Sequence, residues 1–411
     1  MSSTDAVTYD ISGRDPATGR LLTVRVEDGL IARVETSDSV RPDDSVPWLS
    51  PGLVDLQVNG FGGFDANAPT GDGDRGDDGD RGDRGDGGDG GDGGETVVAM
   101  VRALFATGVT TVVPTIVTAS EAHIVACLRR IVRARAADPL VRHAIPFVHV
   151  EGPHLSEQDG PRGVHPAAHV RPPEVAEFQR WQDSCDGLVG LVTMSPHFDG
   201  SASYISELTS RGVRVAVGHT HAAPEQISAA ADAGASLCTH LGNGAHALMP
   251  RHPNYLWAQL ADDRLSAGFI ADGHHLPADT LTVMLRAKGL DRSFLVSDAT
   301  ALAGSAPGVY HTPVGGEVEL SRDGRLSHRG TPYLAGAARP VADGVAHVAN
   351  LGRFSLAEAL ALATTSPGRF AGGRGTLAVG APADLLTFAW SPGKPGLTVE
   401  SVVVAGSPVH P

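Results

Sequence analysis

Eight short apolar runs, separated by alanine-rich segments, are the feature that most constrains the fold of this chain. The runs have the character of strands and are Leu53–Asn59, Thr110–Val117, Ile145–Val150, Leu188–Met194, Arg214–Val217, Ser236–His240, Ser266–Ile270 and Ser293–Ser297. The segments between them are rich in helix formers and include Glu95–Thr107, Ala119–Ala136, Ser201–Arg211, Ala223–Ala233 and Ala278–Lys288. Apolar strands that alternate with helices are typical of parallel sheets covered on both faces. Eight such units predict an α/β fold with a closed (β/α)8 barrel of the TIM type.

Both ends of the chain carry a different pattern. Their short runs are separated by turns such as Asp28-Gly29 and are Thr8–Ile11, Leu21–Glu27, Leu30–Glu35, Asp384–Phe388 and Thr398–Val404. Together they predict a small β-sandwich domain built from both termini, residues 1–50 plus 378–411, beside a barrel at residues 51–377. The final barrel helices are expected from Ala342–Leu351 and Ser355–Thr364.

Composition excludes several classes of protein. Apolar residues make up 41% of the 411 residues, but no run approaches the roughly 18 to 20 apolar residues that a membrane span needs. The start of the chain lacks the basic and apolar regions of a secretory signal. Three cysteines without a C-x-x-C pair suit the reducing cytoplasm. The net charge of −15 argues against nucleic acid or an anionic membrane as a partner, so we expect a cytoplasmic protein.

One segment has no capacity to form a core. Residues Gly71–Gly94 are only Gly, Asp and Arg, with nine Asp against three Arg. Calcium-binding repeats of Gly and Asp need an apolar residue in each period, which this segment lacks. Because it has nothing apolar to bury, we interpret it as a disordered insert in a loop of the barrel.

Ionisable residues recur where the predicted strands end. Glu151 follows the third run, His219 the fifth and Asp298 the eighth, while His240 ends the sixth. In a (β/α)8 barrel these positions converge on one mouth, where buried polar groups need partners. One carboxylate and two imidazoles are a common catalytic zinc set, so Glu151, His219 and His240 predict a metal site, with Asp298 left for proton transfer. Hydrogen-bonded structural histidines are the alternative.

With these motifs the chain resembles the N-acetylglucosamine-6-phosphate deacetylases of the amidohydrolase superfamily. The resemblance runs from Pro51-Gly52-Leu53-Val54-Asp55 to the Gly375–Asp384 segment. The motifs that carry it are His-Val-Glu-Gly-Pro at 149–153, Gly-His-Thr at 218–220, Thr-His-Leu-x-Asn at 239–243, Ala-Asp-Gly-x-His at 271–275 and Ser-Asp-Ala-Thr at 297–300. The resemblance implies a hydrolase that removes the acetyl group from a phosphorylated N-acetyl amino sugar.

The resemblance also implies a cofactor. Many amidohydrolases carry His-x-His after the first strand for a second metal, and this chain has Gln57-Val58-Asn59 there. Family members with such a variant are associated with a single metal. We therefore expect one divalent ion per chain on Glu151, His219 and His240, with zinc favoured over iron, manganese or cobalt.

Further site residues follow from the same resemblance. His165 matches a histidine that polarises the acetyl carbonyl, and His275 matches one that contacts the sugar or its phosphate. Asn243 and Gly244 match a turn that offers an amide and a backbone N–H to the phosphate. Arg251 matches an arginine that reaches the phosphate in the neighbouring subunit, which implies a homodimer. A solvated loop arginine is the alternative for this position.

Three segments depart from the family pattern. They are Asn243–Met249 after the sixth strand, Met194-Ser195-Pro196-His197 after the fourth, and Leu334-Ala335-Gly336-Ala337-Ala338. All three are expected around the substrate and not around the metal. Two alternatives therefore stay open: an amidohydrolase for an unphosphorylated N-acetyl sugar or an N-acyl amino acid, and a barrel scaffold that has lost turnover.

Overall fold

The computed structural model describes residues 8–37, 42, 43, 45–68, 93–312 and 316–410. Except for its last two residues, the predicted insert Gly71–Gly94 lies outside these ranges, so its predicted disorder stays a prediction. Within them, no helix combines the length and the apolar character needed to cross a membrane.

Strands and helices alternate through the middle of the chain. The strands are β1 Thr8–Arg14, β2 Leu21–Glu27, β3 Leu30–Thr36, β4 Trp48–Pro51, β5 Leu53–Val58, β6 Gly60–Phe61, β7 Phe64–Asp65, β8 Val109–Val117, β9 Val148–Glu151, β10 Val189–Met194, β11 Arg214–Val217, β12 Leu237–Cys238, β13 Ser266–Ile270, β14 Ser293–Val296, β15 Gly308–Thr312, β16 Gly316–Leu320, β17 Arg325–His328, β18 Leu334–Ala337, β19 Leu385–Ala389, β20 Thr398–Val404 and β21 Ser407–His410. The helices are α1 Glu95–Phe105, α2 Glu121–Ala137, α3 Pro139–Ala144, α4 Val175–Ser184, α5 Ser201–Ser210, α6 Pro224–Asp232, α7 Tyr255–Ala261, α8 Ala278–Lys288, α9 Val341–Asn350, α10 Leu356–Ala361 and α11 Thr365–Gly368.

A parallel barrel forms the centre of the molecule. Its eight strands follow the order β5-β8-β9-β10-β11-β12-β13-β14. The two end strands meet where Val58 of β5 forms a parallel bridge with Ala299, just beyond β14, and the N–H of Asp298 donates to the carbonyl of Gln57 at 2.9 Å. Every residue of β5 is buried, as expected for a barrel strand packed on both sides. The predicted (β/α)8 fold is confirmed.

Two of the eight predicted barrel strands differ from the observed strands by two or more residues at one end, each for a local reason. The run Ile145–Val150 starts its strand at Val148 because Ile145 still caps helix α3, its N–H donating to the carbonyl of Val141. The run Ser236–His240 keeps only Leu237–Cys238 as strand, because His240 has a φ of +24° and turns the chain.

Strands from both termini join in one seven-stranded sheet in the order β21-β20-β19-β4-β1-β2-β3. Its apolar face is formed by alternating side chains such as Leu22, Val24 and Val26. The carboxylate of Asp384, just before β19, accepts hydrogen bonds from His143 and Arg374 on the barrel side. The participation of both termini agrees with the sequence pattern, and the exact domain boundaries remain a prediction.

A further four-stranded antiparallel sheet, β15-β16-β17-β18, was not predicted. It lies between β14 and α9 in the chain and is joined to the barrel by a bridge between Ala299 and Ala337. Its strands are short, and among the described residues a small buried cluster of Val318, Leu320, Leu326 and Ala338 supports it. So little apolar burial leaves a weak signal in the sequence. The sheet places new side chains over the barrel mouth.

Candidate active site

The predicted site residues stand at the carboxyl ends of the barrel strands. Glu151 is the last residue of β9, while His219, His240 and Asp298 lie two residues beyond β11, β12 and β14. These last three have left-handed backbones, with φ of +47°, +24° and +49°. Such a conformation is costly for residues other than glycine, and it persists where the surrounding structure imposes it, as at many functional sites.

Three donor atoms face one another at the centre of the mouth. Oε1 of Glu151 lies 3.0 Å from Nε2 of His240 and 3.3 Å from Nε2 of His219. The two Nε2 atoms are 3.0 Å apart. Donors in a tetrahedral zinc site with bonds of about 2.0–2.1 Å are separated by about 3.3 Å. The three side chains therefore have the spacing that a divalent ion requires.

The orientation of His219 supports a ligand role. Its Nδ1 lies 2.8 Å from the carbonyl oxygen of Pro161, which can only accept, so Nδ1 carries the proton and Nε2 presents its lone pair. Gly244 makes room for this ring: a Cβ on Gly244 would lie 2.6 Å from Nδ1 of His219. Any larger residue at 244 would push the imidazole away from the other donors.

Charge at this position is balanced around the carboxylate of Glu151. Burial would raise the pKa of Glu151, but its contacts with His219 and His240 outweigh burial and hold this pKa well below its usual range. Burial likewise opposes protonation of His240, yet the hydrogen bond and charge of Glu151 raise its pKa to about 9. The donors thus favour one positive charge among them, and their chemistry fits a divalent ion.

His165 lies against the same three donors. Its Nε2 is 3.3 Å from Nε2 of His219, and its potential donor atom lies within 4.8 Å of those of Glu151 and His219. Burial, followed by the charge of His219, lowers the pKa of His165 to about 3, so the ring is neutral at pH 7. Within the described part of the chain, its buried Nδ1 has no hydrogen-bond partner.

Gln57 and Asn59 hold the two carboxylates of the site. Nε2 of Gln57 donates to Oε1 of Glu151 at 3.0 Å, and Nδ2 of Asn59 donates to Oδ1 of Asp298 at 2.8 Å. Both side chains act here as hydrogen-bond donors. The structure accordingly assigns Gln57 and Asn59 a positioning role. They occupy the positions at which a second metal site would need histidines.

The carboxyl group of Asp298 has a perturbed acidity. Its burial raises the pKa to about 6, and the negative charge of Glu151 acts in the same direction. A carboxyl group with a pKa near neutrality can both accept and return a proton. Asp298 is therefore equipped for acid–base work.

One cavity of about 820 Å³ is lined by Asn59, Glu151, His165, His219, His240 and Asp298. Asn243, Gly244 and His275 line it as well. Nδ1 of His275 is fixed by Oδ2 of Asp272 at 2.7 Å, a buried carboxylate close before it in the chain. The volume suits a small polar molecule such as a sugar phosphate.

Arg251 is the one predicted site residue that the chain does not bring to the cavity. Its side chain is exposed, in the loop before α7. The contact predicted between Arg251 and the phosphate bound in a neighbouring subunit therefore stays a prediction.

Sequence reasoning missed the part of the cavity wall formed by the four-stranded sheet. The unpredicted sheet contributes His311, Arg325 and Tyr333, and His274 joins them from the loop after β13. The only signal in the sequence is the alternation in Gly316–Leu320 with the Asp323-Gly324 turn after it. This pattern predicts a hairpin but not the position of the hairpin over the barrel.

Comparison with known proteins gives a consistent result. Residues 48–409 match the model of the amidohydrolase family. The N-acetylgalactosamine-6-phosphate deacetylase of Escherichia coli O157:H7 is 31% identical over 356 residues, covering 86% of this chain and 86% of that protein. The N-acetylglucosamine-6-phosphate deacetylase of Bos taurus is 32% identical over 354 residues, covering 83% of this chain and 79% of that protein.

Solved structures agree with these sequence matches. The N-acetyl-D-glucosamine-6-phosphate deacetylase of Mycobacterium smegmatis superposes with a TM-score of 0.81 at 27% identity, covering 97% of this chain and 99% of that chain. A variant of that enzyme in complex with N-acetyl-D-glucosamine-6-phosphate gives a TM-score of 0.80 at 26% identity, covering 98% of this chain and 100% of that chain.

Proposed function

Because the chain belongs to the N-acetylglucosamine-6-phosphate deacetylase family of the amidohydrolases, we propose that it hydrolyses the acetamide of N-acetylglucosamine 6-phosphate. The products are acetate and glucosamine 6-phosphate. The observation that carries this proposal is the convergence of Glu151, His219, His240 and Asp298 on one cavity of about 820 Å³.

We propose that Glu151, His219 and His240 hold one divalent ion, with zinc favoured by a set of one carboxylate and two imidazoles. When bound, such an ion supplies Lewis acidity that polarises the acetamide carbonyl and acidifies water. The hydrogen bond from Gln57 fixes Glu151, and the carbonyl of Pro161 fixes the ring of His219. The protein therefore holds two of the three donors in place before any ligand arrives.

The proton transfers are assigned to Asp298. Its carboxylate takes a proton from the water that attacks the acetyl carbon, and the hydrogen bond from Asn59 holds it in place. When the C–N bond breaks, the same proton passes to the sugar nitrogen, which leaves as an amine. A pKa raised to about 6 by burial suits both directions of transfer.

His165 is assigned to the carbonyl oxygen. The oxygen gains negative charge when water adds to the acetyl carbon, and a preorganised donor stabilises that charge. Because its pKa is lowered to about 3, His165 is neutral and donates through an N–H. A neutral imidazole also avoids repulsion with a cation held beside it.

The phosphate is assigned to His275, Asn243 and Gly244, together with Arg251 of a second subunit in a homodimer. A planar guanidinium suits a phosphate because it donates two parallel hydrogen bonds. The exposed side chain of Arg251 is accessible to a second subunit. Buried cysteines and amino-sugar catabolism are consistent with a cytoplasmic enzyme.

The galactosamine epimer is a second candidate substrate. Two relatives at 30–31% identity are N-acetylgalactosamine-6-phosphate deacetylases, and they cover 84% and 86% of this chain. The two sugars differ only in the configuration of one ring hydroxyl, at C4, so the acetamide at C2 is the same in both. The same mechanism therefore serves either epimer.

A deacetylation assay tests the proposal. The substrates are N-acetylglucosamine and N-acetylgalactosamine, each with and without the 6-phosphate, and metal content is measured on the same sample. We expect release of acetate from a 6-phosphate, with kcat/KM at least about tenfold above that of the free sugar, since each 1.4 kcal/mol of phosphate contact gives a factor of 10. Equal rates on free sugars, or no release from any substrate by metal-loaded protein, would refute it.

A further inference from the structure

A second group of metal-binding side chains lies outside the cavity, on the outer rim of the barrel. It consists of Glu157, His197 and His221, which we call the rim cluster. One potential donor atom of each lies within 4.8 Å of the others. Among the described residues, the cavity wall contains none of these three.

Three consecutive barrel strands bring the rim cluster together. Glu157 follows β9, His197 follows β10 and His221 follows β11, and these strands pair in parallel side by side. Their loops therefore leave the barrel at the same edge. Two members adjoin segments noted in the sequence, since His221 directly follows the Gly-His-Thr motif at 218–220 and His197 ends the divergent Met194–His197 segment.

The ring of His197 is oriented toward Glu157. Oγ of Ser195 donates to Oγ1 of Thr220 at 2.7 Å, so it accepts the N–H of His197 Nδ1, 2.6 Å away. The lone pair of His197 Nε2 then faces Oε2 of Glu157 at 3.3 Å. Two acceptors at this distance repel each other unless a proton or a metal ion lies between them.

The second imidazole completes the set. Nδ1 of His221 lies 2.6 Å from Oγ of Ser156, and one potential donor atom of this ring lies within 4.8 Å of those of Glu157 and His197. The rings of His197 and His221 have centroids 4.2 Å apart, too close for both to carry a positive charge without cost. A neutral imidazole held by a hydroxyl on its other nitrogen is the form that binds metal.

We propose that the rim cluster binds a second divalent cation, Zn²⁺, separate from the ion assigned to the cavity. Two imidazoles and one carboxylate are the ligand types that zinc takes. The 3.3 Å between Glu157 and His197 equals the donor separation of about 3.3 Å in tetrahedral zinc sites. The side chain of Glu157 is 60% exposed, so solvent supplies the remaining position and the ion exchanges freely.

A zinc ion bound to the rim cluster would restrict the movement of the loop after β9. The N–H of Ser156 donates to the carbonyl of His219 at 2.9 Å, so this loop already contacts the backbone of a cavity ligand. An ion on Glu157, His197 and His221 links the three loops directly. The expected consequence is a higher melting temperature in the presence of zinc, because a ligand that binds only the folded state stabilises it.

Zinc titration of the full chain tests the rim site. Protein is desalted, its retained metal is measured, and Zn²⁺ is then added in competition with a colorimetric zinc indicator. The wild type should bind one further equivalent. The variants E157Q and H197N/H221N should weaken this equivalent at least about tenfold while keeping the retained metal. H246N is the matched control, because His246 lies nearby, bonded to Gln158, and is outside the cluster.

Two further measurements complete the test. Glu157 is exposed, so E157Q should fold normally, which its thermal melt without added zinc verifies. Addition of Co²⁺ in place of Zn²⁺ should give a tetrahedral absorption band in the wild type that E157Q loses. A wild type that takes up no further zinc overturns the proposal, as does an E157Q variant that binds it with unchanged affinity. Loss of the equivalent in H246N would overturn the assignment of ligands.

Discussion

The side-chain amide of Asn59 donates a 2.8 Å hydrogen bond to Oδ1 of Asp298, across the seam where β5 and β14 close the barrel. Asn59 stands where many amidohydrolases have a histidine that binds a second metal. Here the residue holds the carboxyl group to which we assign the proton transfers. Gln57, two residues earlier, holds Glu151 in the same way.

Asp298→Asn should remove the proton carrier without removing the metal site. Asparagine keeps the size of the side chain but has no carboxylate, and general acid–base groups contribute typically 10²–10⁴-fold. We expect kcat to fall by about that factor while metal content stays at the wild-type level. The exposed Asp199→Asn is a matched control that should leave both unchanged. Turnover of Asp298→Asn near the wild-type rate would assign the proton to another group.

The barrel mouth should hold one tightly bound ion per chain. Gln57 and Asn59 donate to carboxylates there, so a second position lacks its ligands. The H197N/H221N variant removes any metal ion bound by the rim cluster. Elemental analysis of this variant should therefore give one ion per chain. His219→Asn or His240→Asn should lower both metal content and rate. Two tightly held ions in the rim variant would contradict this prediction.

Arg251→Met should weaken binding of the phosphate from across a dimer interface. A hydrogen bond to a charged group contributes about 1.5–3 kcal/mol, which corresponds to roughly a 10- to 150-fold rise in KM for the 6-phosphate. The rate on the unphosphorylated sugar should stay the same. Arg286→Met, on an exposed face of α8, provides the control. Unchanged KM for the phosphorylated sugar would identify Arg251 as a solvated loop residue.

Stability should depend on pH through Asp55, a fully buried residue of β5. Burial raises its pKa from 3.8 to about 7, and its Oδ2 has no hydrogen-bond partner among the described residues. Because the pKa of Asp55 is higher in the folded protein than in the unfolded chain, Asp55 contributes most to the free energy of unfolding below pH 4. This contribution is lost as the pH rises to about 7. One such group changes stability by at most about 1.4 kcal/mol per pH unit.

Asp55→Asn removes this titration, so its stability relative to the wild type should increase between pH 4 and pH 7. Urea unfolding of both proteins at several pH values across this range measures the difference. Asp199→Asn again serves as the control, since its side chain is exposed. A difference between Asp55→Asn and the wild type that does not vary with pH would show that Asp55 keeps an ordinary acidity.

Deletion of residues 71–92 should change neither stability nor activity. The segment contains only Gly, Asp and Arg, so it has no apolar side chain to bury. The free energy of unfolding should stay within about 0.5 kcal/mol of the wild type, as for most surface changes. Denaturant unfolding and the deacetylation assay measure the two effects. A larger loss of either would show that the segment packs against the barrel or contributes to the site.

The sequence alone determined the barrel and the centre of its site. Continuous apolar runs between helical segments specify parallel strands, and in that fold the carboxyl ends of the strands share one mouth. Glu151, His219 and His240 could therefore be grouped from their positions at strand ends, although 68 and 21 residues separate them along the chain. The structure places their donor atoms within 3.3 Å of one another.

Only the tertiary structure decided how loops and hairpins surround that centre. The four-stranded sheet brings Arg325 and Tyr333 to the cavity, and three separate loops assemble Glu157, His197 and His221 on the rim. Loop residues carry no periodic pattern, and their positions depend on turns and on the packing of neighbouring segments. The periodicity of a strand fixes which way its end points, whereas the course of a loop depends on contacts that are distant in sequence.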